Sequence, residues 1–150
     1  MKIISLKKSK NISSLGAFKY LFLLPVLFLI TNAFSKEIII EPGENAHERL
    51  QESMILMEEG DILLIKSGYY SFEDGLSLDI DGVTVIGEGM DKTILDFKNQ
   101  QSVAQGLLVT SNKVTLKDFA ILDAKGDALK VIGAEGINMI NLRTEWTGGP

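Results

Sequence analysis

The sequence predicts an all-β protein, a parallel β-helix of short stacked coils closed at its N-terminal end by one α-helix. Three observations predict it. After Gly60 the helical spacing of apolar residues disappears, and four β-rich stretches follow with no helix-length segment between them. Two of those stretches superpose on each other at an offset of 22 to 23 residues. The only segment with a helical apolar face, residues 46–59, precedes them all.

Residues 1–35 come first and stand outside this fold. They carry Lys2, Lys7, Lys8, Lys10 and Lys19 and no acid, then an uncharged apolar run over residues 20–30, then Thr31-Asn32-Ala33-Phe34-Ser35. A basic start, an apolar middle and a small-residue site make a signal peptide, with cleavage expected between Ser35 and Lys36. The uncharged run over residues 20–35 is 16 residues long and contains Pro25. A spanning helix needs roughly 20 apolar residues, so no stable membrane span is expected once the leader is removed. The expected destination is periplasmic or extracellular. The chain has no cysteine, so no disulfide can staple it and residues 36–150 must rely on packing. Those residues hold 10 basic and 20 acidic side chains, a net charge of −10, which argues against a nucleic-acid partner.

The elements follow in order. Residues 37–43 read as a buried strand ended by Pro42-Gly43. A capping helix is expected over about residues 45–59. Asn45 would cap it with Glu48 reaching back, Ala46, Leu50, Met54 and Met57 would form its buried face, and Gly60 would end it. The methionines read as core. His47, the only histidine, has no second histidine or cysteine with which to begin a metal cluster and reads as solvated.

Coils are expected over about residues 61–150, in the stretches 62–72, 82–97, 107–127 and 128–149. Leu107 and Val109 match Leu129 and Val131 at an offset of 22, and Val114, Leu116 and Phe119 match Ile137, Met139 and Leu142 at 23. Val83 and Val85 extend the alignment upward, with extra residues absorbed by the polar loop 98–105. Gly87, Asp118 and Asn141 fall in one turn slot. In a solenoid no repeat buries its apolar face alone. The Leu-x-x-Leu-x-Leu frame of a leucine-rich repeat is absent. Strands joined only by short turns fit a parallel β-helix, each coil about 4.8 Å above the last.

Three stretches carry a resemblance. GDILLIKSGYY (residues 60–70) resembles the Gly-Asp-x-Ile-x-Ile-x-x-Gly-x-Tyr motif of right-handed parallel β-helix proteins. GVTVIGEGMDKTIL (residues 82–95) is similar to the Gly-x-Gly-x-x-x-Thr-x-Leu segment that follows it there. GDALKVIGAEGINMINLRTEWTGGP (residues 126–150) resembles exported bacterial repeat proteins of the pectate-lyase-like superfold. The resemblance implies a right-handed coil and a polysaccharide groove along one β-face. A lyase on that face needs carboxylates for calcium and a group to take a proton. A hydrolase needs paired carboxylates roughly 5 to 9.5 Å apart.

Candidate residues follow from that chemistry. Arg143 and Glu145 alternate onto one side of a strand with Trp146 on the other, a set suited to an anionic sugar ring, although a salt-bridged turn with Trp146 packing the core or a loop is the favoured reading. Asp123 and Asp127, four residues apart in a turn, are the candidate calcium ligands. Asp79, Asp81 and Asp118 read as turn residues bonding local backbone. The Gly87-Glu88-Gly89 stretch lacks the Lys-Ser/Thr and the helix of a phosphate loop. Two functional readings result: a carbohydrate-associated binding or accessory scaffold, and a polysaccharide lyase or glycoside hydrolase acting on acidic polysaccharide. Met139 and Leu142 are still on pattern near the end, so the expectation is a longer solenoid, or a partner covering the open coil.

Overall fold

The computed structural model describes residues 35–102 and 105–148, which belong to one compact unit, Ala33–Pro150. Residues 1–34 of the expected leader, Val103 and Ala104 of the polar loop, and residues 149–150 lie outside the described residues. Along the chain run β1 (Glu37–Ile40), α1 (Ala46–Leu56), β2 (Ile62–Ile65), β3 (Gly68–Ser71), β4 (Leu76–Leu78) and β5 (Thr84–Gly87). Then come β6 (Thr93–Asp96), β7 (Leu107–Val109), β8 (Thr115–Leu122), β9 (Leu129–Val131) and β10 (Asn138–Glu145). No helix among the described residues is long and apolar enough to cross a membrane.

Every strand pair is parallel. One sheet has the order β1-β2-β5-β8-β6-β3 with β10 on β8, and the other has the order β4-β7-β9. Mostly β, with parallel strands and one helix, the chain has the arrangement of a parallel β-helix. The registers are those the apolar pattern predicts: Leu107↔Leu129, Val109↔Val131, Val85↔Leu116, Leu116↔Met139 and Phe119↔Leu142. Successive coils measured at one position are 22 residues (Ile62 to Thr84), 31 (Thr84 to Thr115) and 23 (Thr115 to Asn138).

The core is a stack of rows. Leu63, Val85 and Leu116 are buried one above another, as are Tyr70, Leu95 and Ile121. Phe72 and Phe97 stack with ring centroids 4.8 Å apart and planes 17° from parallel, a geometry aromatic pairs favour. Ala46, Leu50, Met54 and Met57 are buried as the helical period predicts, and α1 lies against β1, β3 and β4.

Three expectations about this helix change. It ends at Leu56 rather than near residue 59, because Met57 is already extended (φ −61, ψ 153) while its side chain still fills the core. Asn45 is left-handed (φ 56) and its side chain makes no cap bond. The carbonyl of Gly43 accepts the Ala46 N–H instead, a backbone solution open to a chain that turns through Gly43 at φ 142. His47 is half-buried, its ring centroid 5.2 Å from that of Phe72 in an edge-on arrangement, rather than solvated.

Left-handed corners align between coils. Gly60, Gly82, Lys113 and Gly136 form one column (φ 94, 70, 56 and 72), Asp118 and Asn141 a second (59 and 50), and Asp123 and Trp146 a third (57 and 55). In the slot shared by Gly87, Asp118 and Asn141, the Asn141 amide donates to Asp118 Oδ1 at 2.9 Å. Asp79 and Asp81 also bond across coils rather than within their own turn. Asp79 accepts the Thr110 hydroxyl, and Asp81 accepts the Asn112 backbone N–H at 2.7 Å.

Candidate functional site on the outward face of the long sheet

Where β3, β6, the second half of β8 and β10 lie side by side, alternation sends two rows outward. Tyr69, Ile94, Ala120 and Arg143 form one, and Ser71, Asp96, Leu122 and Glu145 the other. Neighbouring strands lie about 4.8 Å apart, so groups on successive coils are within reach of one another and of a single extended ligand.

Tyr69 is 61% exposed, yet its hydroxyl donates to Asp96 Oδ2 at 2.7 Å. Asp96 is buried, and its Oδ1 accepts the Lys98 N–H at 3.0 Å. The bond to Asp96 pushes the Tyr69 phenol up to about 12, helped by partial burial and by the negative charges of Asp96 and Asp123. Tyr69 is therefore a proton donor at neutral pH. The sequence reading passed over this pair, although alternation through Leu95 and Phe97, both buried, already turns Asp96 outward.

Arg143 and Glu145 share the face, as their spacing predicts. Arg143 Nη1 donates to Glu145 Oε1 at 2.7 Å. Its Nε and Nη2 donate to the Met90 carbonyl at 3.3 and 3.1 Å, and Asp91 Oδ1 lies 3.6 Å from Nε. Met90 and Asp91 belong to the corner after β5, two coils away. The side chain thus runs over Ala120, which faces outward in register with Arg143 and is nonetheless fully buried. Arg143 is a latch between coils first, its side chain 30% exposed.

Trp146 neither packs the core nor a loop. It is 80% exposed, at the left-handed corner below Asp123 and next to Glu145. Asp123 donates its N–H to the Glu145 carbonyl at 3.0 Å, while the Asp127 carboxylate lies 3.6 Å from Lys130 Nζ. Calcium takes six to eight oxygens, and among the described residues no three His, Cys, Asp or Glu side chains group so as to hold an ion. The described side chains alone do not make a calcium cage around Asp123 and Asp127.

No protein-family model and no curated protein matches the chain. Among solved structures it is similar to the PL6 family alginate lyase AlyGC, with a TM-score of 0.57, 18% identity, and coverage of 73% of this chain and 16% of that one. It is similar as well to an arginine-to-alanine mutant of that enzyme, with a TM-score of 0.51, 16% identity, and coverage of 77% of this chain and 20% of that one. The chain thus spans a fifth or less of those proteins. The likeness is one of fold, a pectate-lyase-like parallel β-helix.

Proposed function

We propose that the chain is an exported, right-handed parallel β-helix protein that binds polysaccharide along the outward face of β3, β6, β8 and β10, in an accessory rather than a catalytic role. The observation that carries this reading is an outward face bearing the exposed Tyr69, bonded to Asp96, and the Arg143–Glu145 pair, with the exposed Trp146 at the corner that follows Glu145. Aromatic rings offer rigid apolar plates with little entropy to lose on binding. Carboxylates accept from sugar hydroxyls, and a guanidinium pairs with a uronate carboxylate. The binding role comes first because each polar group on the face already bonds a neighbour and Arg143 is tied to the Met90 corner.

A second reading, a lyase on uronate polymer, is favoured by the alginate-lyase fold neighbours. In it Arg143 would pair the uronate carboxylate. Tyr69, held protonated by Asp96, is suited to giving a proton to the leaving oxygen and not to taking one. With a net charge of −10 over residues 36–150, an anionic polymer is repelled at low salt. Calcium bridging polymer and protein, with Asp123 and Asp127 among its ligands, would offset that repulsion.

The test is affinity electrophoresis and calorimetry against alginate, polygalacturonate and a neutral glucan, with and without calcium, while following ultraviolet absorbance for unsaturated products. Binding without product is expected. Trp146→Ala should weaken binding about tenfold, roughly 1.4 kcal/mol, while leaving the melting temperature in place because the side chain is exposed. Product from any uronate polymer would replace this reading with the lyase one, and no binding to any of the polymers would end both.

A further inference from the structure

Asp61, the acid of the Gly60-Asp61 step, lies at the head of β2 and is 5% exposed. Its two oxygens hold two separate segments: Oδ2 accepts the Glu58 N–H at 2.9 Å, and Oδ1 accepts the Lys36 N–H at 2.8 Å. Those two amides, with help from the Lys36 charge, hold its carboxyl below the usual carboxylate range despite burial. Among the described residues no lysine or arginine side chain bonds it. A buried carboxylate without a cation is costly. The Lys36 nitrogen is fixed on its other side too, since the Lys36 carbonyl accepts the Ile62 N–H at 2.9 Å and β1 begins at the next residue. Lys36 also follows the small-residue site Ala33-Phe34-Ser35, and both Ser35 and Lys36 are exposed.

We propose that hydrolysis of the Ser35–Lys36 peptide bond converts the Lys36 nitrogen into an α-ammonium that pairs with Asp61, so that removal of the leader fastens β1 onto the first full coil. A leader peptidase and water are the only reactants needed. Water gives its hydroxyl to the Ser35 carbonyl carbon, and the C–N bond breaks. The nitrogen keeps its hydrogen, gains the second hydrogen of water, and takes one proton from solvent at neutral pH. The nitrogen already sits at bonding distance, so the pair forms where the amide bond stood. A neutral donor becomes a charged one, and charge-assisted bonds are roughly twice as strong. Around the pair lie the Lys36 side chain and the acids Glu37, Glu58 and Glu59 of the adjoining segments. This proposal is independent of what the outward face binds.

The experiment is to express the whole chain with its leader in an exporting host and determine the intact mass and N-terminal sequence of the exported product. The α-amine is then titrated through the pH dependence of its acylation. The expected product begins at Lys36, with an α-amine titrating about one unit or more above the ordinary value of about 7.7 to 8.0. Asp61→Asn should return it to that value. If that variant does not fold, the native titration decides alone. A raised folded value means that the pair stabilises fully below about pH 8 and that this contribution is lost as pH rises through the raised value. A product beginning at another residue, or an α-amine with the ordinary value, overturns the proposal.

Discussion

Tyr69 and Tyr70 are neighbours in sequence and face opposite sides of β3. Tyr70 is buried and its hydroxyl donates to the Ile40 and Lys66 carbonyls, at 3.0 and 2.9 Å. Burial, with the Glu41 charge, pushes its phenol up to about 12, and the bond to Asp96 does the same for Tyr69. The only other tyrosine is Tyr20, in the expected leader. An unfolded phenol titrates near 10, so both side chains favour the fold below about pH 10 and lose that contribution as pH rises toward 12. On the acid side the bond from Lys66 Nζ and the Ser67 N–H hold Glu88 down to about 2. Its contribution is present above about 4.5 and lost as pH falls toward 2. The leaderless protein should therefore show no phenolate absorbance at pH 10, and its melting temperature should decline beyond each limit. A phenolate rise at pH 10 in folded protein would contradict either the Tyr69–Asp96 bond or the burial of Tyr70. Alternation made the shared side of Arg143 and Glu145 legible. The Met90 carbonyl that holds Arg143 was not legible, because it lies 53 residues away and depends on coil length.

Strands were easier to read than the corners between them. Inward residues must stack on apolar neighbours, so registers such as Leu107↔Leu129 follow from the pattern of apolar residues. Corners depend on backbone conformation, and there the side chain is a weaker guide. Asn45 looks like a cap and makes no cap bond, and the helix stops three residues before the expected Glu59. Lys113 is the sharpest case, the one non-glycine in a column otherwise formed by Gly60, Gly82 and Gly136. A left-handed non-glycine residue costs roughly 1 to 2 kcal/mol, and glycine's extra unfolded freedom returns roughly 0.5 to 1. Lys113→Gly should thus stabilise by up to about 1 kcal/mol and Lys113→Val should destabilise, as read by urea unfolding. A clear loss with glycine would show that the Lys113 side chain contributes something its exposed position does not suggest.

Across the molecule the acidic charge and the apolar stack pull in opposite directions. Met139 and Val131 continue the rows of Leu116 and Val109, which are fully buried, but they are themselves exposed, 51% in the case of Met139. Ile132 and Ile140 are exposed nearby. A patch of this kind favours association, while a net charge of −10 over residues 36–150 opposes it until salt screens the repulsion. Light scattering of residues 36–150 by themselves should therefore show self-association that grows with salt and shrinks in Met139→Lys. Association unchanged by that substitution would place the sticky surface elsewhere. The fold class was legible at this scale because stacking repeats itself. The outward face was not, because nothing in the stack dictates what points away from it. The same independence shows in the unequal coils. The 31-residue coil carries its surplus in the Glu88–Lys92 corner and the polar loop near residue 100, while its strands keep register with shorter coils on both sides. Loop length is thus a free variable. A foreign peptide grafted into the polar loop between Ser102 and Gln105 would be displayed from the wall, leaving untouched the Glu88–Lys92 corner that holds Arg143 through Met90.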